Sequence, residues 1–325
     1  MEQLNCIDNL QIETYPANKV TLPLDPRLVK QFKRQGSFNV NLPIFLMRGL
    51  VHLATRSFSF RFYEKGLKTS YKKIQLPDRS IGLTIVSPAT GKELPIILYL
   101  HGGGGVLADS SSYIHVLKNI ATFANAVVVG VDYNRAPEFK FPVPLYDCFE
   151  ALKWTFEHAE DFGASRQNII IAGDSAGGNL AAGLSLYARD NKGPKILKQL
   201  LINPRTDHSS NTKSFLSFRE GYGLTEEAMR FFEQQYFLHP SDAQRCFASP
   251  LQHDYLEDLP ETLIITSEYD PLRDEGENYG IKLRKTGIRV EIIRYLGMAH
   301  TMVAFGATRE SAQHFYNWIG RKINE

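Results

Sequence analysis

The sequence predicts an α/β protein with a mostly parallel central sheet, helices on both faces and a helical cap. Three observations predict it. From about residue 71, short β-branched runs alternate with helical patterns, the rhythm of strand–helix–strand units. The run Leu94–Leu100 is apolar without alternation, as a strand covered on both faces must be. Two stretches, residues 1–70 and 205–250, break the rhythm. They are expected to lie outside the sheet and to pack together as a cap over the domain formed by 71–325.

The bulk properties narrow the class. A chain of 325 residues holds one large α/β domain or two small ones and buries a sizeable core. Apolar residues make up 43% and charged residues 22%, ordinary for a globular protein. A net charge of +2 without a Lys/Arg block gives no electrostatic case for nucleic acid. Cys6, Cys148 and Cys246 are far apart and odd in number, which fits neither a disulfide framework nor a zinc spacing and points to free thiols. The N-terminus lacks the basic start and apolar core of a secretory signal. No run approaches the ~20 apolar residues of a membrane span. The expectation is a soluble, cytoplasmic protein that needs no metal.

In chain order, Pro43 opens a helical pattern in which Leu46, Leu50, Leu53 and Ala54 share one side and Arg48, His52 and Thr55 the other. Ser57–Phe62 then alternates polar and aromatic. A basic amphipathic helix beside phenylalanines either covers a core or pocket, the commoner use, or lies on a membrane surface without inserting. Tyr71–Leu76 and Ile81–Val86 read as strands around a Pro77–Ser80 turn, and Leu94–Leu100 as the buried strand. A helix follows over Ser112–Asn125, then a strand over Ala126–Val131 and a helix over Pro144–Glu160. After a strand ending near Gly173 comes a helix over Asn179–Arg189, then the strand Gln199–Asn203. Thr225–Tyr236 is a helix capped by Thr225, with Glu226 and Glu227 in its first turn. Glu261–Ser267 and Val290–Tyr295 are strands, and Asp274–Thr286 and Ala307–Lys322 are helices. No repeat or low-complexity segment interrupts them.

A parallel sheet presents its functional loops at the carboxyl ends of its strands. There the sequence places Gly173-Asp174-Ser175-Ala176-Gly177, a serine at the apex of a strand–turn–helix. The G-x-S-x-G spacing has a physical reason: a strained turn brings positions minus two and plus two close together, and only glycines fit. The helix N-terminus beside Ser175 favours an oxyanion. By composition alone the bare pattern arises in roughly one such chain in ten, and an ordinary Gly/Ser turn reads the same way. Other residues add weight. Asp270 follows the strand Glu261–Ser267, and His300 follows Val290–Tyr295. The order Ser, Asp, His, each just past a strand, is that of one kind of serine-nucleophile triad. His300 is the only one of nine histidines directly after a late strand, apart from His101 in the glycine run. Asp274 and Glu275 compete with Asp270, but they sit where a helix start wants acids. Asp270 precedes a proline, whose extended or turn geometry suits a side chain aimed across a loop.

The run His101-Gly102-Gly103-Gly104-Gly105 completes the set. Attack by Ser175 on an ester creates an oxyanion, and the N–H groups of Gly103, Gly104 and Ala176 are the candidate donors, each worth about 3–4 kcal/mol of barrier. The rival reading is a dinucleotide fingerprint, Gly103-x-Gly105-x-x-Ala108 with Asp132 ending the next strand. Asp109-Ser110-Ser111-Ser112 delays the helix too far to hold a pyrophosphate, and His101 and the Ser175 turn would go unexplained.

From Pro95 to the C-terminus the chain resembles the hormone-sensitive-lipase-like branch of the α/β-hydrolases, which includes bacterial esterases, arylacetamide deacetylases and plant carboxylesterases. The resemblance rests on His101–Gly104, on Asp132–Glu138 with Phe141-Pro142, on Gly173–Gly178, on Asp270–Asp274 and on Gly297–His300. It implies a carboxylesterase with Ser175, Asp270 and His300 as triad, Gly103, Gly104 and Ala176 as oxyanion donors, and a cap. No organic cofactor is implied, the partner is a small ester of small to medium acyl chain, and a homodimer is an option. The sequence departs from the family pattern at Gly105, where a bulky residue is usual, at Asn134-Arg135, and at Met302, commonly phenylalanine. Gly105 suggests room for bulky groups beside the oxyanion donors. An amide or lactone hydrolase would use a similar site, and plant gibberellin receptors of this family bind without turnover but lack the histidine that His300 supplies here.

Overall fold

The computed structural model describes residues 6–7, 10–35, 39–58, 60–63, 66–89, 91–301 and 308–325. Met302, Ser59 and the Ala307 start of the last helix lie outside the described residues. In chain order the strands are β1 (Cys6–Ile7), β2 (Leu10–Tyr15), β3 (Lys68–Gln75), β4 (Ser80–Ser87), β5 (Leu94–Leu100), β6 (Val127–Asp132), β7 (Ala164–Asp174), β8 (Lys198–Ile202), β9 (Glu261–Tyr269) and β10 (Val290–Ala299). They form one sheet in the order β1-β2-β10-β9-β8-β7-β5-β6-β4-β3. The core from β2 to β6 is parallel, while β4 joins β6 and β3 joins β4 antiparallel. The expected α/β architecture is thus observed.

The helices are α1 (Pro26–Gln35), α2 (Ile44–Phe58), α3 (Ile114–Ala124), α4 (Val143–His158), α5 (Ala176–Asp190), α6 (Lys213–Phe218), α7 (Glu226–Tyr236), α8 (Arg273–Lys285) and α9 (Arg309–Asn324). Strand β5 shows why its run is apolar throughout. Ile96, Leu98 and Leu100 enter the core shared with α4, α5 and α8, whereas Ile97 and Tyr99 enter the one shared with α3 and α9. Every residue of such a strand faces hydrophobic packing, so alternation disappears. Asn125 closes α3 in the left-handed conformation, its N–H donating to the carbonyls of Ala121 and Thr122. Thr225 caps α7 by accepting from the N–H of Ala228 at 3.2 Å.

Two expectations need correction. Residues 1–70 are not wholly outside the sheet: β2 pairs in parallel with β10 through Ile12 to Tyr15. Its alternating Leu10-Gln11-Ile12-Glu13 buries the two apolar side chains and exposes the two polar ones, as a strand with one covered face should. Helix α2 also lies the other way up. Met47 and the Arg48 side face the protein, while Leu46, Leu50 and Leu53 are exposed. The cause is Arg48. Its Nε donates to Val106 O at 2.8 Å, Nη2 to Ala136 O at 2.9 Å, and Nη1 and Nη2 grip Glu138 at 2.8 Å each. Turning the leucines inward would give up these four bonds. Among the described residues no helix is long and apolar enough to cross a membrane.

Candidate active site

The elbow forms where β7 gives way to α5. Ser175 sits between them at φ +55°, ψ −120°, a strained conformation for a residue with a side chain. Its N–H donates to Ile202 O at 2.9 Å, which ties the turn to β8. The flanking glycines are obligatory. A Cβ at Gly177 would stand 2.0 Å from the carbonyl oxygen of Leu100, and one at Gly173 2.3 Å from that of Gly177. The turn is therefore buttressed by the end of β5, the strand that leads into the glycine run.

Two loops bring the other expected residues to the serine. His300, one residue past β10, places Nε2 2.9 Å from Ser175 Oγ and Nδ1 2.9 Å from Asp270 Oδ2. Asp270, one residue past β9, is completely buried. Its carboxylate also accepts the N–H of Leu272 at 2.9 Å on Oδ1 and Asn203 Nδ2 at 2.6 Å on Oδ2. Three donors offset the cost of burying that charge. Asn203, just past β8, escaped the sequence reading. Its signal was a polar residue at the carboxyl end of a parallel strand, and it holds a left-handed backbone (φ +44°) to reach Asp270. Asp274 and Glu275 do not touch His300. Asp274 accepts from Ser214 N at 2.8 Å and Glu275 from Thr206 N at 2.8 Å, so both fasten α8 to the 205–250 segment.

The glycine run lies alongside. Gly103, Gly104 and Gly105 all take positive φ, at 94°, 68° and 70°. The Gly103 carbonyl accepts the N–H groups of Val106 and Leu107, and that of Gly105 accepts the N–H of Ala136. The N–H groups of Gly103, Gly104 and Ala176 make no hydrogen bond among the described residues. Gly104 and Ala176 line the same cavity as Ser175. His101 and Asp174 fix the loop from below. His101 is buried, stacks on Tyr133 at 4.3 Å, and bonds the Gly102 carbonyl through Nδ1 at 2.9 Å. Burial pushes its pKa down to about 4, so the ring is neutral and Nδ1–H is the donor. Asp174 accepts from Gly102 N at 3.0 Å, Tyr99 Oη at 2.9 Å and Tyr113 Oη at 2.8 Å. Burial raises its pKa to about 6 against those bonds.

The cavity beside Ser175 measures about 60 Å³. Its walls come from helix α7 (Met229, Phe232, Tyr236) and from Leu180 and Leu272. The room expected at Gly105 is absent: a Cβ there would meet the Tyr236 ring at 2.8 Å, because Tyr236 occupies the space a larger residue would take. Buried Arg205 and half-buried His208 lash α7 down through Glu233. Glu233 accepts from Arg205 Nη2 at 2.5 Å and pairs with His208 Nδ1 at 2.9 Å.

Glu275, beneath this cluster, is almost completely buried. Burial raises its pKa from 4.5 to about 8, although Arg205 and the N–H groups of Thr206 and Asp207 favour the charged form. The neutral acid therefore stabilises the fold most fully below pH 4.5, and that contribution is lost as pH rises through about 8. Glu275→Gln keeps the neutral shape. Thermal unfolding from pH 6 to 9.5 is expected to show a falling Tm for the wild type and a flatter profile for the variant, the gap reaching a few kcal/mol. Equal slopes would show that Glu275 does not titrate there.

A model of the α/β-hydrolase-fold family matches residues 97–304. The chain is similar to an arylesterase of Saccharolobus solfataricus, 34% identical over 247 residues that make up 76% of this chain and 80% of that one. It is similar to carboxylesterase NlhH of Mycobacterium tuberculosis, 36% identical over 222 residues, 67% of this chain and 69% of that one. The solved structure of a hyperthermophilic esterase from the archaeon Pyrobaculum calidifontis superposes with a TM-score of 0.86 at 34% identity, covering 93% of this chain and 98% of that one.

Proposed function

The chain belongs to the α/β-hydrolase-fold family and is a carboxylesterase-type hydrolase of ester bonds, and from that premise we propose that it works through a Ser175–His300–Asp270 triad and an acyl-enzyme on Ser175. The observation that carries the proposal is the unbroken relay from Ser175 Oγ to His300 Nε2 and from His300 Nδ1 to Asp270 Oδ2, each at 2.9 Å. His300 takes the Ser175 proton as Oγ attacks the acyl carbon. Asp270 keeps the imidazole proton on Nδ1, so that Nε2 is the acceptor, and stabilises the imidazolium once formed. The oxyanion is received by the N–H groups of Gly103, Gly104 and Ala176. Collapse of the tetrahedral species breaks the carbon–oxygen bond of the ester, and the departing alkoxide takes its proton from His300. Water then attacks the acyl-enzyme by the same route, giving the free acid and restoring Ser175.

The small, aromatic-walled cavity supports short acyl groups as the favoured substrates. A p-nitrophenyl ester series from acetyl to palmitoyl, with amide and lactone analogues, is expected to show highest kcat/KM at the short end and a steep fall with chain length. Acid quench during turnover is expected to leave one acyl group on the peptide that carries Ser175. Turnover with no acyl group on that peptide would overturn the mechanism.

A further inference from the structure

The outward face of α2 is out of keeping with the rest of the surface. Phe45, Leu46, Leu50 and Leu53 are 71%, 45%, 58% and 65% exposed, and Gly49 lies among them without a side chain to interrupt the stripe. Scattered exposed leucines need no explanation, but four large apolar side chains along one helix face form a patch. Exposed to this extent, the four side chains present on the order of 400 Å², within the size range of patches that are often functional. The helix cannot hide the patch by rolling, because Met47 is buried beneath it and Arg48 is bonded to Val106 O, Ala136 O and Glu138.

A second feature says what the patch meets. No charged residue lies on the stripe itself, but cations gather at its C-terminal end. Arg56, in the last turn of α2, and Arg61 are exposed. Together with Lys118 they act electrostatically on the same imidazole, that of His115. Lys118 stands 5.3 Å over the ring of Tyr63, which stacks on that imidazole. None of the three cations is in an ion pair among the described residues. An apolar helix face continuous with unpaired cations matches the chemistry of an anionic lipid surface, which takes the leucines among its acyl chains and the cations among its headgroups. A second copy of the chain fits less well, since ~400 Å² is about half of what each partner buries in a standard interface.

We propose that the Phe45–Leu53 face of α2, with Arg56, Arg61 and Lys118, docks the protein peripherally on an anionic lipid–water interface. Sedimentation of the full chain with vesicles tests this. Binding is expected to phosphatidylglycerol-rich vesicles, with much weaker binding to pure phosphatidylcholine. The triple variant Leu46→Ser, Leu50→Ser, Leu53→Ser is expected to lose more than tenfold in affinity for the anionic vesicles. Arg56→Gln with Arg61→Gln is expected to lose about 25-fold there, at roughly fivefold per cation, and to lessen the sensitivity to salt. Hydrolysis of water-soluble p-nitrophenyl acetate should be unchanged in both variants, which shows them folded. The proposal is overturned if the wild type does not sediment with anionic vesicles or if both variants bind as well as it does. It is equally overturned if ultracentrifugation finds a stable wild-type dimer that the triple variant splits.

Discussion

Replacing Ser175 by alanine is expected to lower kcat on short p-nitrophenyl esters by about 10⁶-fold. The size follows from what is removed. Without Oγ there is no nucleophile for His300 to activate, and no acyl-enzyme divides the reaction into two easier steps. What survives is the glycine loop and the cavity, which by themselves still hold a tetrahedral species and leave a residual rate ~10³–10⁴ above that in water. The fold should not suffer. The turn is held by the backbone bond from Ser175 N to Ile202 O and by the close approach of Gly177 to Leu100, neither of which involves Oγ. Alanine accepts the same φ of +55° with no more strain than serine. Steady-state kinetics beside thermal unfolding decide it: unchanged Tm with kcat collapsed is the expected pair, and undiminished turnover would remove Ser175 from the chemistry.

The expected sites sat where local rules and chemical rules coincide. G-x-S-x-G is legible because a backbone collision enforces it: the 2.0 Å approach to Leu100 O tolerates only glycine at 177. Asp270 and His300 are legible because a parallel sheet delivers both to the same edge. Residues whose role is fixed by distant partners were not legible. Asn203 supports Asp270 across 67 positions of sequence, and at that range periodicity says nothing. Strand β2 escaped for a related reason, since its partner β10 lies near the other end of the chain. Helix α2 shows a subtler failure. Its apolar stripe argues for burial, yet one arginine with four acceptors beneath it sets the orientation the other way. Gly105 shows that a missing side chain is not a vacancy when a remote aromatic, Tyr236, can fill the space.

Asp270→Asn is expected to lower kcat by about 10⁴-fold although it changes one atom. The surroundings dictate which way the new amide turns. The N–H of Leu272 points at Oδ1, and a backbone donor cannot reverse itself. The amide oxygen must therefore stay at the Oδ1 position, which puts the NH₂ group where Oδ2 now accepts from His300 Nδ1 and Asn203 Nδ2. Asn203 can yield, because its Oδ1 is buried without a hydrogen-bond partner among the described residues. Flipping its amide presents that oxygen to the new NH₂ and moves Nδ2 into the unpartnered place the oxygen held. His300 can yield only by moving its proton from Nδ1 to Nε2. Nε2 then faces Ser175 Oγ as a donor, and the base is lost. The surrounding bonds therefore steer the ring into the wrong tautomer. The measurement is kcat and KM for a soluble ester together with the imidazole ¹⁵N chemical shifts. The expected result is a collapsed kcat, a KM changed little, and shifts that report a protonated Nε2. A variant that kept Nδ1 protonated and lost less than tenfold in kcat would mean that Asp270 does not set the tautomer.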